Sequence, residues 1–453
     1  MSRRSLGLVA AMESLDSDSP DVSILVPAAQ QQPEQKATIV VEVSVLPNGA
    51  ELAENDIMEV EEVNRDADEL EDQIEGTLVI RDRLVDMGDT VENAIAEQDG
   101  LSDSSVEVLT SALEHFSAYL GAAKLKVPAL EDFQGSSARY YSSKIALESI
   151  QEVVKKATEA VIAAIRKALQ YLEEALAKIQ VVVGAMRLRA RNLERLLEGL
   201  SGQPNARNVL EERLARSLAV NGMVPSAFVR ELKKFRDVTE GVFNVSTDWT
   251  LEHVEKLKNA IRNDSVSVSD LTELSGLSFE GLEKASNQDA PEGLTRYSTP
   301  ALFGNRSVEY LLVSASSEIE ERVLTKSIQS VGGRVVFNEP TRQPSAQLPI
   351  LSVEDLKAVI GECLSILETI EGFKKRFPEL KRLGNELIAA AQASAREALK
   401  GENVDSHRLD ESILLGASRL IREPARSYSS YAIDVVRQLL NYVELCSKSY
   451  IKN

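Results

Sequence analysis

Cysteine is nearly missing from this chain: Cys363 and Cys446 are the two in 453 residues. Two thiols cannot build a disulfide framework or a four-thiolate zinc site. Each falls in an apolar helical pattern, which reads as a buried free thiol of a reducing compartment. Histidine is as scarce, and His115, His253 and His407 stand far apart without ligand-spaced partners, so no metal centre is expected. Aromatic residues make up 5% of the chain, with one Trp, which suits long helices better than a β-sandwich. No apolar run approaches the roughly 18 residues that cross a bilayer, so no membrane partner is expected. Also lacking are a G-x-G-x-x-G turn, a phosphate-cradling loop followed by Lys-Ser/Thr, a G-x-S-x-G elbow and a Cys-His signature; "VGG" before Arg334 is a helix stop. No cofactor is expected. Carboxylates abound, but along helix faces such runs are solvated, and nothing singles out an acid/base pair, so an enzyme is not the favoured reading. The opening "MSRRSLGLVAAMESL" has a basic end, but its apolar part is only about six residues before Glu13, at the short edge for an export signal, and a dense acidic segment follows, so export is the less favoured reading.

What is present is length, apolar residues and an uneven charge. At 453 residues with 43% hydrophobic residues, the chain is long enough for two to four domains. Ala, Leu, Glu, Lys and Arg recur at helical spacings, so the expected class is mainly α. Residues 1–114 hold 6 Lys+Arg against 27 Asp+Glu, a net of −21, which leaves 45 bases and 44 acids for the rest. In net terms all of the acidity lies in the first quarter. Its "QQQPEQ" and "DSDSPD" are linker-like, and "AENDIMEVEEVNRDADELEDQIEG" is too acidic to collapse alone, although Ile57, Val60, Val63, Leu70 and Ile74 suit one helix face. "TIVVEVSV", residues 38–45, alternates like a lone strand without a hairpin partner. The quarter reads as an acidic, partly disordered leader, with a tail that merely aids solubility as the plainer alternative.

Beyond it the chain becomes regular. From Ile150 through Val154, Ala157, Val161, Ala164, Ala168, Leu172 and onward to Leu197 and Leu200 the apolar step is near the α-helical period, which predicts one helix of about 55 residues stopped by Gly202 and Pro204. Such a helix needs a partner along its stripe. "SVEDLKAVIGECLSILETIEGFKKRF" offers one, with Ser352 as N-cap, Asp355 three residues on, and Leu356, Val359, Ile360, Cys363, Leu367, Ile370 and Phe373 on one side. Pro378 suits the first residue of a following helix that Gly401 closes. Helices at about 407–421 and 424–449 complete a bundle. In between, "VEYLLVS" and "GRVVFNEP" read as strands flanking a helix, a minimal crossover unit within 295–345. "VSVSDLTELSGLSFEGLEKASN" imitates a helix-turn-helix but carries several acids and one Lys, against DNA binding. Arg187, Arg189, Arg191 and Arg195 crowd one stretch, yet alternation spreads them around a helix, so a mixed solvated surface is preferred to a polyanion face.

A basic, briefly apolar start, an acidic leader and a long helical body opening near a small-X-Glu tripeptide resemble the internal head proteins of jumbo tailed bacteriophages of the phiKZ-like group. "STPALFGNRSVEYLLVS" and "LPILSVEDLKAVIGECLSILETIEGFKKRF" look like segments such virion proteins carry. The resemblance is one of layout over most of the chain and implies a structural protein of the head interior. It also implies a propeptide cut after small-X-Glu by a prohead protease, with other head-interior and capsid proteins, that protease and nearby packaged DNA as partners. The pattern falls on Ala112-Leu113-Glu114 at the charge boundary, the expected processing site, with Ala11-Met12-Glu13, Ala129-Leu130-Glu131 and Ala146-Leu147-Glu148 as alternatives. The tripeptide is common by composition, so selection would rest on unfolded chain at the site. The expected architecture is an elongated helical bundle with a long central helix and a small inserted α/β element, divided as leader 1–114, long-helix body 115–290, α/β element 291–350 and C-terminal bundle 351–453. The rival reading is a cytosolic helical adaptor or coiled-coil scaffold whose acidic arm binds a basic partner; a secretion-system effector would explain the helices but not the leader.

Overall fold

The computed structural model describes residues 49–98, 100–120, 136–201, 204, 208–263, 271, 276–285, 290–314, 323, 327–340, 347–398 and 404–452. The fold is mainly α, and the chain divides into two units: one within residues 1–54 and 70–164, the other formed by 55–69 and 165–453.

In the first unit the described part of the acidic sequence is helical. Helix α1 spans Gly49–Gln98 and α2 spans Asp103–Tyr119. The third helix, α3, spans Ser136–Glu198 and gives this unit its residues up to Ala164. Leu84 and Val91 of α1, Leu109 and Leu113 of α2, and Ala146, Ile150, Val153 and Ala157 of α3 are buried together. These spacings of three, four and seven put each set on one face, and burying that face is what stabilises helices so rich in charge. The turn from α1 to α2 is fixed at Gly100, whose φ of +110° favours glycine and where a Cβ would stand 2.5 Å from the Arg139 carbonyl. Ser102 then caps α2, its hydroxyl accepting from the Ser105 N–H at 3.3 Å. Leu70 and Ile74 are buried, as their spacing predicts. The strand expected at 38–45 lies outside the described residues.

The second unit holds the rest of α3 and a helical body. Short strands β1 (Leu200–Ser201) and β2 (Asn208–Leu210) follow, then α4 (Glu212–Ser217), α5 (Phe228–Glu240), a π turn at Gly241–Val245 and α6 (Ser246–Arg262). Strands β3 (Glu283–Lys284), β4 (Leu294–Ser298), β5 (Arg306–Val313) and β6 (Gly332–Phe337) form one sheet in chain order, each neighbour antiparallel. After β7 (Gln347–Pro349) come α7 (Val353–Ala398), α8 (Val404–Arg422), a π turn at Pro424–Tyr428, α9 (Ser429–Ser447) and β8 (Ile451–Lys452). β7 pairs with β2 and β8 with β1, so the end of the chain is tied to the exit of α3.

Two expectations are corrected. The strands of "VEYLLVS" and "GRVVFNEP" are real, but Val308 faces Val335 in an antiparallel pair, so they form no crossover unit. The intervening stretch is long enough for a return in either direction, and β4, whose Tyr297 faces Tyr310 on the other side of β5, makes the sheet a meander. Pro378 does not begin a helix; it lies inside the unbroken α7. It stands on the exposed side one turn beyond exposed Lys374, where water can satisfy the carbonyl that loses its donor, while Phe373, Phe377 and Leu380 stay buried and hold the helix in place. Ser352 caps α7 as expected, accepting from the Asp355 N–H at 3.1 Å and donating to its carboxylate at 2.7 Å. Gly401, expected to close the helix, lies outside the described residues.

Many of the aromatic residues pack in the second unit's core. Phe235 touches Phe303 and Tyr431, Phe243 touches Phe373 and Tyr428, and Phe228 meets Tyr442, with ring centroids 5.1–5.9 Å apart. Their hydroxyls are satisfied inside: Tyr428 shares a 2.8 Å hydrogen bond with Thr239, Tyr431 donates to the Phe303 carbonyl at 2.8 Å, and Tyr310 donates to Ser246 at 3.3 Å. Burial pushes all three phenols above their ordinary range, so they stay neutral donors.

Candidate functional site

Both cysteines and His253 are engaged in the packing of the second unit. Cys363 and Cys446 are buried free thiols; burial raises both, Cys446 to about 11, which makes them inert as nucleophiles. His253 stacks on Trp249 with ring centroids 4.5 Å apart and has Nδ1 2.7 Å from the Trp249 carbonyl, while His115 is exposed beside Phe116. His407 lies in α8, and its side chain is outside the described set. Among the described residues no group of His, Cys, Asp and Glu gathers to hold a metal ion.

Several charged residues in the second unit join one helix to another. Lys258 of α6 is buried and binds Glu255 at 2.6 Å and Glu386 of α7 at 2.8 Å. Burial works against its charge, but the two carboxylates outweigh it and raise its pKa, while the bond from Lys258 lowers that of Glu386. Arg236 of α5 reaches Glu362 of α7 at 2.8 Å. The crowded arginines of α3 divide in two. Arg187 pairs with Glu371, and Arg189 binds Asn441 and Glu444, each at 2.8 Å, whereas Arg191 and Arg195 are exposed. The mixed surface read from the sequence is therefore partly an interhelical lattice. An open cleft of about 520 Å³ lined by Glu173, Arg262, Phe377, Lys381, Arg382 and Glu386 is balanced in the same way, with Lys381 bound to Glu173 and Arg382 to Glu386.

Of the four small-X-Glu tripeptides named above, two lie in described helices. Ala112-Leu113-Glu114 lies within α2, with Leu113 0% exposed in the first unit's core and Glu114 in solvent. Ala146-Leu147-Glu148 lies within α3, with Ala146 1% exposed in the same core. Ala11-Met12-Glu13 and Ala129-Leu130-Glu131 lie outside the described residues. The latter falls between Tyr119, the last residue of α2, and Ser136, the first of α3. The charge boundary at Glu114 thus does not coincide with the end of an element. The buried role of Leu113 was open to inference from Val106, Leu109, Leu113 and Leu120, spaced as one helix face.

No helix among the described residues is long and apolar enough to cross a membrane. In comparisons with known proteins, a family model described as phiKZ-like phage internal head proteins matches residues 55–445. No curated protein and no solved structure matches the chain.

Proposed function

Because the chain belongs to the phiKZ-like phage internal head proteins, we propose that its acidic N-terminal segment is a propeptide, cut after Glu131 by a prohead protease when the protein already stands inside the head. The protein is a structural component of the phage head interior, located in the virion. The observation that carries the choice of site is the position of Leu113 and Ala146 in one packed core. A protease must bind its substrate extended, and at Glu114 or Glu148 that requires a helix to open and a buried side chain to leave its neighbours. A cut after Glu131 breaks neither α2 nor α3.

Charge gives the cut a purpose. Residues 1–131 hold 8 Lys+Arg against 28 Asp+Glu, a net of −20, and the remaining residues hold 43 of each sign. Before packaging, the acidic segment keeps the chain soluble and engages basic components of the assembling head. During packaging, the same charge repels entering DNA within a Debye length of about 8 Å. Its loss, once the cut segment has also left the core it shares with α3, leaves a neutral body that tolerates DNA beside it without sequence-specific contact.

Mass-spectrometric mapping of the N-terminus on protein from mature heads tests this. A terminus at Asp132 is expected. A terminus at His115 or Ser149 overturns the choice of site, and an intact terminus overturns processing and makes the acidic segment a permanent arm.

A further inference from the structure

The solvent face of α3 in the second unit is not uniformly polar. Gln170, Glu174, Ala177, Val181, Gly184, Leu188, Arg191 and Arg195 are all exposed and follow one another at steps of four and three, the rhythm of a coiled-coil seam. Its middle is apolar: Val181 is 61% and Leu188 57% exposed, with Ala177 and Gly184 in the same row. Single exposed apolar residues are ordinary, but four consecutive positions of one row are a surface.

Gly184 is the independent observation. Glycine weakens a helix interior, and a Cβ at 184 would meet nothing within 4 Å among the described residues, so no packing contact described there calls for it. Gly361 and Gly372 of α7 also have open space, but Gly361 stands between exposed Lys357 and half-buried Ser365, and Gly372 between exposed Glu368 and Lys375, so neither interrupts an exposed apolar row. At 184 alone does the missing side chain lie between exposed Val181 and Leu188, where it lets a second helix approach closely.

We infer that this face binds a second copy of the chain, α3 against α3, antiparallel about a two-fold axis between residues 182 and 183. Charge selects the orientation. In the antiparallel register Val181 meets Gly184 and Ala177 meets Leu188 of the other copy, while Glu174 lies against Arg191 and Gln170 against Arg195. A parallel pair in register would instead set Glu174 on Glu174, Arg191 on Arg191 and Arg195 on Arg195, like charges on a seam. The acidic beginning and basic end of this one exposed row are complementary only head to tail, and the two-fold makes each Glu-Arg pair occur twice. The apolar centre covers about three turns per copy and two of its four residues are Ala and Gly, so the contact is weak and suits a protein held at high concentration.

Sedimentation equilibrium of the full chain over a wide concentration range tests the pairing. The weight-average mass is expected to rise from 49.6 kDa toward twice that value. The double variant V181E/L188E should abolish the rise, whereas V108E, at an exposed valine of α2, should leave it intact. Both change exposed positions, and circular dichroism checks that they fold. With Cys363 and Cys446 buried, a spin label on Glu198→Cys reads the orientation: about 46 Å between labels' backbones for the antiparallel pair, from 1.5 Å per residue, and roughly 10 Å for a parallel one. A mass fixed at 49.6 kDa, a rise that survives V181E/L188E, or the short distance would each overturn the inference.

Discussion

Two glycines show how far a residue's meaning depends on what stands beside it. Gly184 and Gly241 both interrupt helical sequence, and both lack the side chain that would favour it. At Gly184 the surroundings are empty; at Gly241, where the π turn begins, a Cβ would stand 2.3 Å from the Phe279 ring. Gly184→Ala is therefore expected to stabilise the chain by about 1 kcal/mol, the helix-propensity difference. Gly241→Ala should destabilise it by about 1–3 kcal/mol, since the ring or the turn must shift. Thermal unfolding of the two variants checks both, and equal effects would refute the contrast. Nothing in the local sequence separates these glycines, because Phe279 is brought to Gly241 by the fold.

At the scale of elements, the described acidic residues from Leu70 to Tyr119 are a folded part of the first unit. Leu84 and Val91 of α1 and Leu109 and Leu113 of α2 share a core with Ile150 and Val153 of α3. Leu113→Ala should cost that unit about 3 kcal/mol, in the range for buried leucines. It follows that cutting the chain does not by itself free the propeptide. If a foreign protease site is placed within 121–135 and cut, the two pieces should co-elute in gel filtration near neutral pH, and the Leu113→Ala version should part at lower denaturant. Separation on cutting alone would mean that the core does not hold the pieces together, and that the charge is shed in one step. Here the sequence was legible in part. The period of α3 was plain from Val154 to Leu197, because a long uninterrupted stripe averages out local exceptions. The ordered state of α1 was not plain: at a net −21 over residues 1–114 composition argues against collapse, and composition does not include the apolar face of a neighbouring helix.

For the molecule as a whole, ion pairs between distant helices make stability depend on pH. The bond from Lys258 lowers the pKa of Glu386, and the bond from Arg189 lowers that of Glu444. An acid with a lowered folded pKa stabilises the fold above its unfolded value, near 4.3, and loses that contribution as pH falls through the folded value. The raised Lys258 has the opposite sense, and its contribution persists until the pH climbs past about 10.4. The difference in melting temperature between the natural chain and E386Q/E444Q should be present at pH 7 and gone near pH 3. A difference that persists at pH 3 would show that the glutamates act through packing.

By itself the sequence determined what depends on composition and period. It specified a mainly helical chain, the stripe of α3, the cap at Ser352, the strands around Val308 and Val335, the absence of a membrane-crossing run and the segregation of acid into the first quarter. These are properties of the covalent chain or of a single element, set by spacing and side-chain chemistry. Tertiary structure alone decided the antiparallel meander, the unbroken passage of α7 through Pro378, the burial of Leu113 and the exposure of the row from Gln170 to Arg195. Each of these turns on which surface is covered by residues far away in the chain, and local pattern carries no record of that cover.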